Sequence, residues 1–317
     1  MAQAQPDLDS PDLPTSAEGA ASPGAAAGSG LAVDPNTAGI TIAGPKKKRP
    51  RVFYYAAIGW LILVVFCAVF ANLLPVKDPN FGIVANRLEP PGPGGILGSD
   101  DLGRDILARL VFGARVSLIV SLTAVFVGSI VGGTIGLTAG FFRGRYERVV
   151  MSLVDVILAF PALVLLLALV AFVGQSLSTI ALVVGFLAIP AYTRVARATT
   201  LSVSQREYVL AARAMGAKDS RILFKELLPN VALPVVAFGL VALGLVIVAE
   251  GSLAFLGLSV KFPTATWGSM IAAGKIHIRT APHLALLPSL AMFLTVLSLN
   301  YVGDQLRSRF DVRSSSL

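Results

Sequence analysis

The sequence predicts an all-α, polytopic membrane protein with six transmembrane helices. Three observations carry that prediction. Of the 317 residues, 55% are hydrophobic and only 14% charged, where soluble domains carry about 25% charged residues. Mean hydropathy is +0.76. The apolar residues gather into six runs, near Val52 to Leu74, Arg115 to Phe142, Val149 to Val173, Thr179 to Ala196, Val231 to Leu256 and Leu284 to Gly303. A helix of about 20 residues crosses the ~30 Å hydrocarbon layer.

Residues 1–44 are rich in Ala, Gly, Pro, Ser and Asp and show no apolar period. Such a composition buries too little surface to offset the entropy of ordering, which predicts a disordered cytoplasmic tail. Residues 45–75 form a basic anchor and the first transmembrane helix. The string Pro45 to Arg51 has the composition of a nuclear import signal, but directly before an apolar run it reads as a topology anchor. That run is too long for a removable signal peptide, and no small-x-small site follows it. Cys67 lies inside it and is the only cysteine, so it reads as a small apolar filler.

Residues 76–114 form a Pro- and Gly-rich extracytoplasmic segment, too short for an enzyme domain, that ends in Leu97 to Asp105, LGSDDLGRD. Ser99 or Asp100 is predicted to cap the helix that follows, with further acids in its first turn. Residues 115–306 form a five-helix core. Its first helix carries Gly128, Gly132, Gly136 and Gly140 at a four-residue period, which lines one face and lets a second helix approach closely.

Two acids fall within the apolar runs. Asp155 lies five residues before Phe160-Pro161, and Glu250 lies late in the fifth run. A carboxylate at the bilayer centre costs roughly 2.5–3.5 kcal/mol. Each therefore marks either a translocation path or intramembrane pairing.

Between the fourth and fifth runs, residues 197–230 are polar and rich in Arg and Lys. Arg206 to Ala214 is predicted to be a helix, with Ala211 and Ala212 presenting a low surface. Gly216 permits the positive φ that ends a helix tightly, and Lys218 to Leu228 supplies a second short helix before Pro229. Arg206 and Arg213 offer charge to a partner, Ala214 continues the low surface and Met215 offers an adaptable apolar contact. Residues 307–317 form a second cytoplasmic tail.

The net charge of +8 raises a nucleic-acid reading, and the placement of the charges excludes it. The basic residues of Lys46 to Arg51, Arg143 to Arg148, Arg194 to Lys225 and Arg307 to Arg313 fall on one side of the six runs. By the positive-inside rule, that side is the cytoplasm and holds both termini, which describes a multi-pass protein of the plasma membrane in contact with lipid.

Catalytic constellations do not emerge. There is no Ser/His/Asp or Cys/His arrangement and no metal-ligand spacing, and His277 and His283 sit in one outside loop. The nearest string to a phosphate loop, Gly268 to Ile276, has one residue too many between its glycines and lacks the hydroxyl for magnesium.

Several strings resemble the second permease of dipeptide and oligopeptide ABC importers. They are Gly98-Ser99-Asp100 with Leu102 to Asp105, Gly113 to Leu118, Met151 to Asp155, Ala249 to Leu258, Pro263 to Gly268 and Asn300 to Arg307. The segment 197–230 resembles that family's coupling loop through Ala211, Ala212, Gly216, Leu228 and Pro229, although Leu210 replaces a frequent acid. Tyr301 and Lys261-Phe262 also depart from the pattern.

The resemblance covers residues 50–313 and implies a type I ABC importer permease fold. It also implies a homologous sister permease, two ATP-binding subunits docked on Arg206 and Ala211 to Gly216, and an extracytoplasmic solute-binding protein. ATP and Mg would be held by the partner subunits, with no cofactor in this chain. The implied cargo is a peptide. Nickel, haem or another solute is the alternative cargo, and a secondary transporter, which would need an internal repeat, is the alternative class.

Overall fold

The computed structural model describes residues 51–92 and 95–314. The expected tail of residues 1–44 and most of the basic anchor lie outside them. The helices are α1 (Arg51–Val69), α2 (Ile106–Phe142), α3 (Gly144–Ala159), α4 (Ala162–Val173), α5 (Leu177–Val203), α6 (Glu207–Ala214), α7 (Asp219–Phe255), α8 (Trp267–Gly274) and α9 (His283–Ser314). Five are long and apolar enough to cross a membrane, and the bent pair α3–α4 makes a sixth crossing if the two count as one span.

The third run thus differs from a single straight helix. Phe160 is extended at the helix end, and α3 and α4 meet at 86°. Pro161 is the cause: it disfavours helical geometry in the residue before it and supplies no N–H to the ladder. The apolar composition continues unbroken across the bend, so length alone hides it. At the chain's end α9 continues to Ser314, where a tail was expected from residue 307.

The second helix begins at Ile106, nine residues before the apolar run that opens at Arg115 and beyond the cap expected at Ser99 or Asp100. Its cap is Asp105, whose side chain accepts from Ala108 N at 3.1 Å, so neither Ser99 nor Asp100 plays that part. Asp100 is buried and organises the preceding loop. Its Oδ1 accepts from Leu102 N and Arg104 N, both at 2.9 Å, and its Oδ2 accepts from Arg104 Nε at 2.7 Å. Arg109 approaches the same oxygen at 3.4 Å and donates to Pro79 O at 3.1 Å. Ser99 Oγ bridges Glu89 N and Asn86 O. A short Pro- and Gly-rich segment thereby gains a polar core, beside the apolar cluster of Ile106, Met270, Ala281 and Leu284 onto which Leu88 and Leu97 pack.

The glycine seam packs α2 against α5. A Cβ added at Gly128 would lie 2.8 Å from the Tyr192 ring, and one at Gly140 would lie 2.9 Å from Thr200 Cβ. Gly136 faces the Thr193 carbonyl, and a Cβ there would lie 2.8 Å from Ala196 Cβ. The expected close packing is therefore within the subunit. A π-helical stretch, Gly128–Gly132, falls inside the seam.

A second π-helical stretch, Ile222–Leu227, precedes Leu228-Pro229. Leu228 N–H donates back to Leu223 O, and this wider turn carries the helix past Pro229, which lacks an N–H. The short helix expected over Lys218 to Leu228 is thus the first part of α7, continuous to Phe255.

Candidate functional site

The segment between α5 and α7 has an inner and an outer face. Arg206 N donates to Val203 O at 3.0 Å, so only a tight turn separates α5 from α6. Arg206 occupies the N-cap position of α6 and Glu207 lies in its first turn, where an acid suits the helix dipole. On the inner face, Val209 and Ala212 are buried. Val209 joins Leu137, Phe141, Tyr192, Ala196, Ile222, Leu223 and Leu227 in one apolar cluster, which fixes α6 to the ends of α2, α5 and α7.

The outer face carries Tyr208, Leu210, Ala211, Ala214 and Met215. Met215 is 82% exposed, the most exposed large apolar side chain of the segment. Of the alanine pair, only Ala211 faces outward. Ala212 faces inward because it lies three residues after Val209, on the same face of the helix, and that spacing was readable in the sequence. Arg213, expected to meet a partner's acid, has its guanidinium 5.7 Å from the centre of the Phe141 ring, a cation–π distance. Burial pushes the Tyr208 phenol above its ordinary pKa, with Arg206 acting oppositely and Glu226 adding to it.

Gly216 ends α6 at φ +79°. Gly216 N donates to Arg213 O and Ala217 N to Ala212 O, each at 3.0 Å, the two bonds of a Schellman motif. A Cβ at Gly216 would meet open space, so the requirement for glycine is conformational. Gly257 ends α7 in the same way at φ +77°, with Leu258 N donating to Leu253 O at 2.9 Å.

The two acids of the apolar runs differ sharply. Asp155 on α3 is exposed and pairs with Arg194 Nη2 on α5 at 2.6 Å. One helical turn along α5, Arg197 reaches Glu147 Oε1 with Nε at 2.6 Å and Nη2 at 2.5 Å. Composition alone did not single out Glu147, although its place two turns before Asp155 puts the two acids within reach of one neighbouring helix. Glu250 is fully buried. Ser259 Oγ donates to its Oε1 at 2.7 Å, and the hydroxyls of Thr266 and Ser117 face the carboxyl. Glu250 thus joins α7 to the start of α8 within the subunit.

No three His, Cys, Asp or Glu side chains among the described residues converge to hold a metal. His283 is the first residue of α9, and its Nε2 is buried beside Gly98.

Residues 132–315 match the family model described as "Binding-protein-dependent transport system inner membrane component". The chain is 39% identical to the glutathione transport system permease protein GsiD of Pectobacterium atrosepticum, over 84% of this chain and 89% of that protein. It is 38% identical to the di/tripeptide transport system permease protein DppC of Pseudomonas aeruginosa, over 80% of this chain and 85% of that protein. Among solved structures, an inward-facing form of the MetNI methionine ABC transporter aligns at a TM-score of 0.54 with 20% identity, covering 63% of this chain and 95% of that one. The fold is therefore that of an ABC importer permease, and the chain belongs to the family of binding-protein-dependent transport system inner membrane components.

Proposed function

We propose that this chain is a membrane-spanning permease subunit of an ATP-driven importer of peptides, and that α6 with Gly216 receives the force of separate ATP-binding subunits. The observation that carries the reading is the two-faced coupling helix. Leu210, Ala211, Ala214 and Met215 are presented outward on a helix whose inner face is packed onto the ends of the bundle helices. A push on the outer face is thereby delivered to α2, α5 and α7 together, because close-packed interiors transmit displacement. Relatives named for glutathione and for di- and tripeptides support a short peptide as the cargo.

In this reading a sister permease completes the path, an extracytoplasmic solute-binding protein delivers the cargo, and both termini lie in the cytoplasm. ATP and Mg belong to the partner subunits, and this chain performs no bond chemistry. Asp155 serves in pairing between helices, and Glu250 serves as a buried strut. Purification of the chain in mild detergent tests the assembly. A second permease and two ATP-binding proteins are expected to co-elute in stoichiometric amounts. Elution of the chain alone, from membranes in which those proteins are present, would count against it.

A further inference from the structure

We propose that the two ion pairs between α3 and α5 are the link through which movement of the coupling helix reaches the α3–α4 elbow. The inference rests on the coupling reading above and extends it from α6 to α3 and α5.

α3 is an arm with a sharp turn at each end. At one end Arg143 sits at φ +51° and Gly144 at φ +69°, and at the other the chain bends by 86° into α4. Along its length Val154 alone is buried. Val149, Leu153, Val156 and Phe160 form an exposed apolar stripe. Very little apolar packing therefore fixes α3 to the bundle. Among the described residues, its polar contacts to other helices are the bond between Tyr146 and Thr138 of α2 at 3.1 Å and the pairs Glu147–Arg197 and Asp155–Arg194.

The geometry of the two pairs gives them a directing role. Glu147 and Asp155 stand eight residues apart on α3, about 12 Å of helix, whereas Arg194 and Arg197 lie about 4.5 Å apart along α5. Two separated attachments fix the angle of an arm as well as its position. Arg194 and Arg197 are three residues apart and share a face of α5. Downstream, α5 passes through the Ser204 to Arg206 turn into α6, and Arg143 Nη2, at the root of α3, donates to Ser204 Oγ at 3.1 Å. A displacement of α6 thus moves α5, and the paired arginines carry α3 with it about its end turns.

The test uses the complete complex, with sister permease and ATP-binding subunits, reconstituted in liposomes. The probe is a mixture of labelled di- and tripeptides and glutathione, delivered with the complex's own solute-binding protein. ATP hydrolysed and solute moved are measured together. The double variant Glu147→Gln/Asp155→Asn is expected to assemble and hydrolyse ATP as the wild type does. It should move about fivefold less solute per ATP, the order of effect of one exposed and one half-buried pair together. The exchange Asp155→Arg/Arg194→Asp restores the attraction with the charges reversed and should keep at least half of the wild-type ratio.

A second measurement does not depend on how the charge variants fold. In a Cys67→Ala background, Asp155→Cys and Arg194→Cys joined by a short bis-maleimide should leave transport standing, because the two helices move as one. An unchanged solute-to-ATP ratio in the neutralised variant, failure of the exchanged pair to restore it, or arrest by the cross-link would each overturn the inference. A wild-type complex that moves no solute with ATP would defeat the coupling reading and this inference with it. A coupled wild type with indifferent variants would defeat the inference alone.

Discussion

At the scale of the residue, Glu250 has no exposure within its own subunit, which supports the strut role proposed for it. Glu250→Gln keeps the acceptor used by Ser259 and the size of the side chain. Peptide uptake by the reconstituted complex should therefore stay within about twofold of wild type, a change of less than ~0.5 kcal/mol. Glu250→Ala strands the surrounding hydroxyls, and thermal unfolding in detergent should show a loss of about 1–3 kcal/mol. Loss of uptake by Glu250→Gln with normal unfolding would return Glu250 to the solute path. The glycine seam makes a second residue-scale prediction. Gly136→Ala must push α2 from α5, at about 1–3 kcal/mol. Gly133→Ala, where the nearest atom to a new Cβ is Val235 Cγ1 at 3.9 Å, should unfold at close to the wild-type temperature.

At the scale of the element, the coupling helix depends on one backbone conformation. Gly216→Val places a β-branched residue at φ +79°, where such residues are genuine outliers, and the left-handed conformation costs roughly 1–2 kcal/mol. Membrane insertion should survive, because no apolar span changes. The complex should lose its ATP-binding subunits or hydrolyse ATP without moving solute. Gly216→Asn should retain most transport, because Asn visits this region far more readily and a Cβ there meets open space. Equal transport by the Val and Asn variants would show that the turn is not what matters.

The elements also show what sequence could and could not supply. The helix α6, its Gly216 stop and the glycine seam were legible because each has a local cause: periodicity, positive φ, or the lack of a Cβ. The Asp105 cap, the α3–α4 bend and the continuity of α7 through Pro229 were not. In the first, Ser99 and Asp100 are taken up by bonds to Glu89, Asn86, Arg104 and Arg109, which leaves the cap to Asp105. In the other two, the same residue type breaks one helix and is carried by a π-helical stretch in another, a difference that the residue type alone does not encode. The pairing of Asp155 required knowing which helix stands beside α3, and one sequence does not say.

At the scale of the whole molecule, the apolar helices and the asymmetric basic residues predict an orientation. A reporter fused after Leu317 should be active in the cytoplasm, and one inserted near Gly92 should be active outside. Both reporters on one side would contradict the six-crossing arrangement in which α3 and α4 together make one span.

The central claim is that this chain is a conduit and lever without an engine of its own. It is tested most directly by comparing liposomes carrying the purified chain alone with liposomes carrying the full complex. Uptake of labelled di- and tripeptides and glutathione is measured with and without ATP on the side of the ATP-binding subunits, and with an imposed ion gradient. The account predicts uptake only by the full complex, only with ATP, and none by the chain alone under any gradient. Gradient-driven uptake by the chain alone would contradict it.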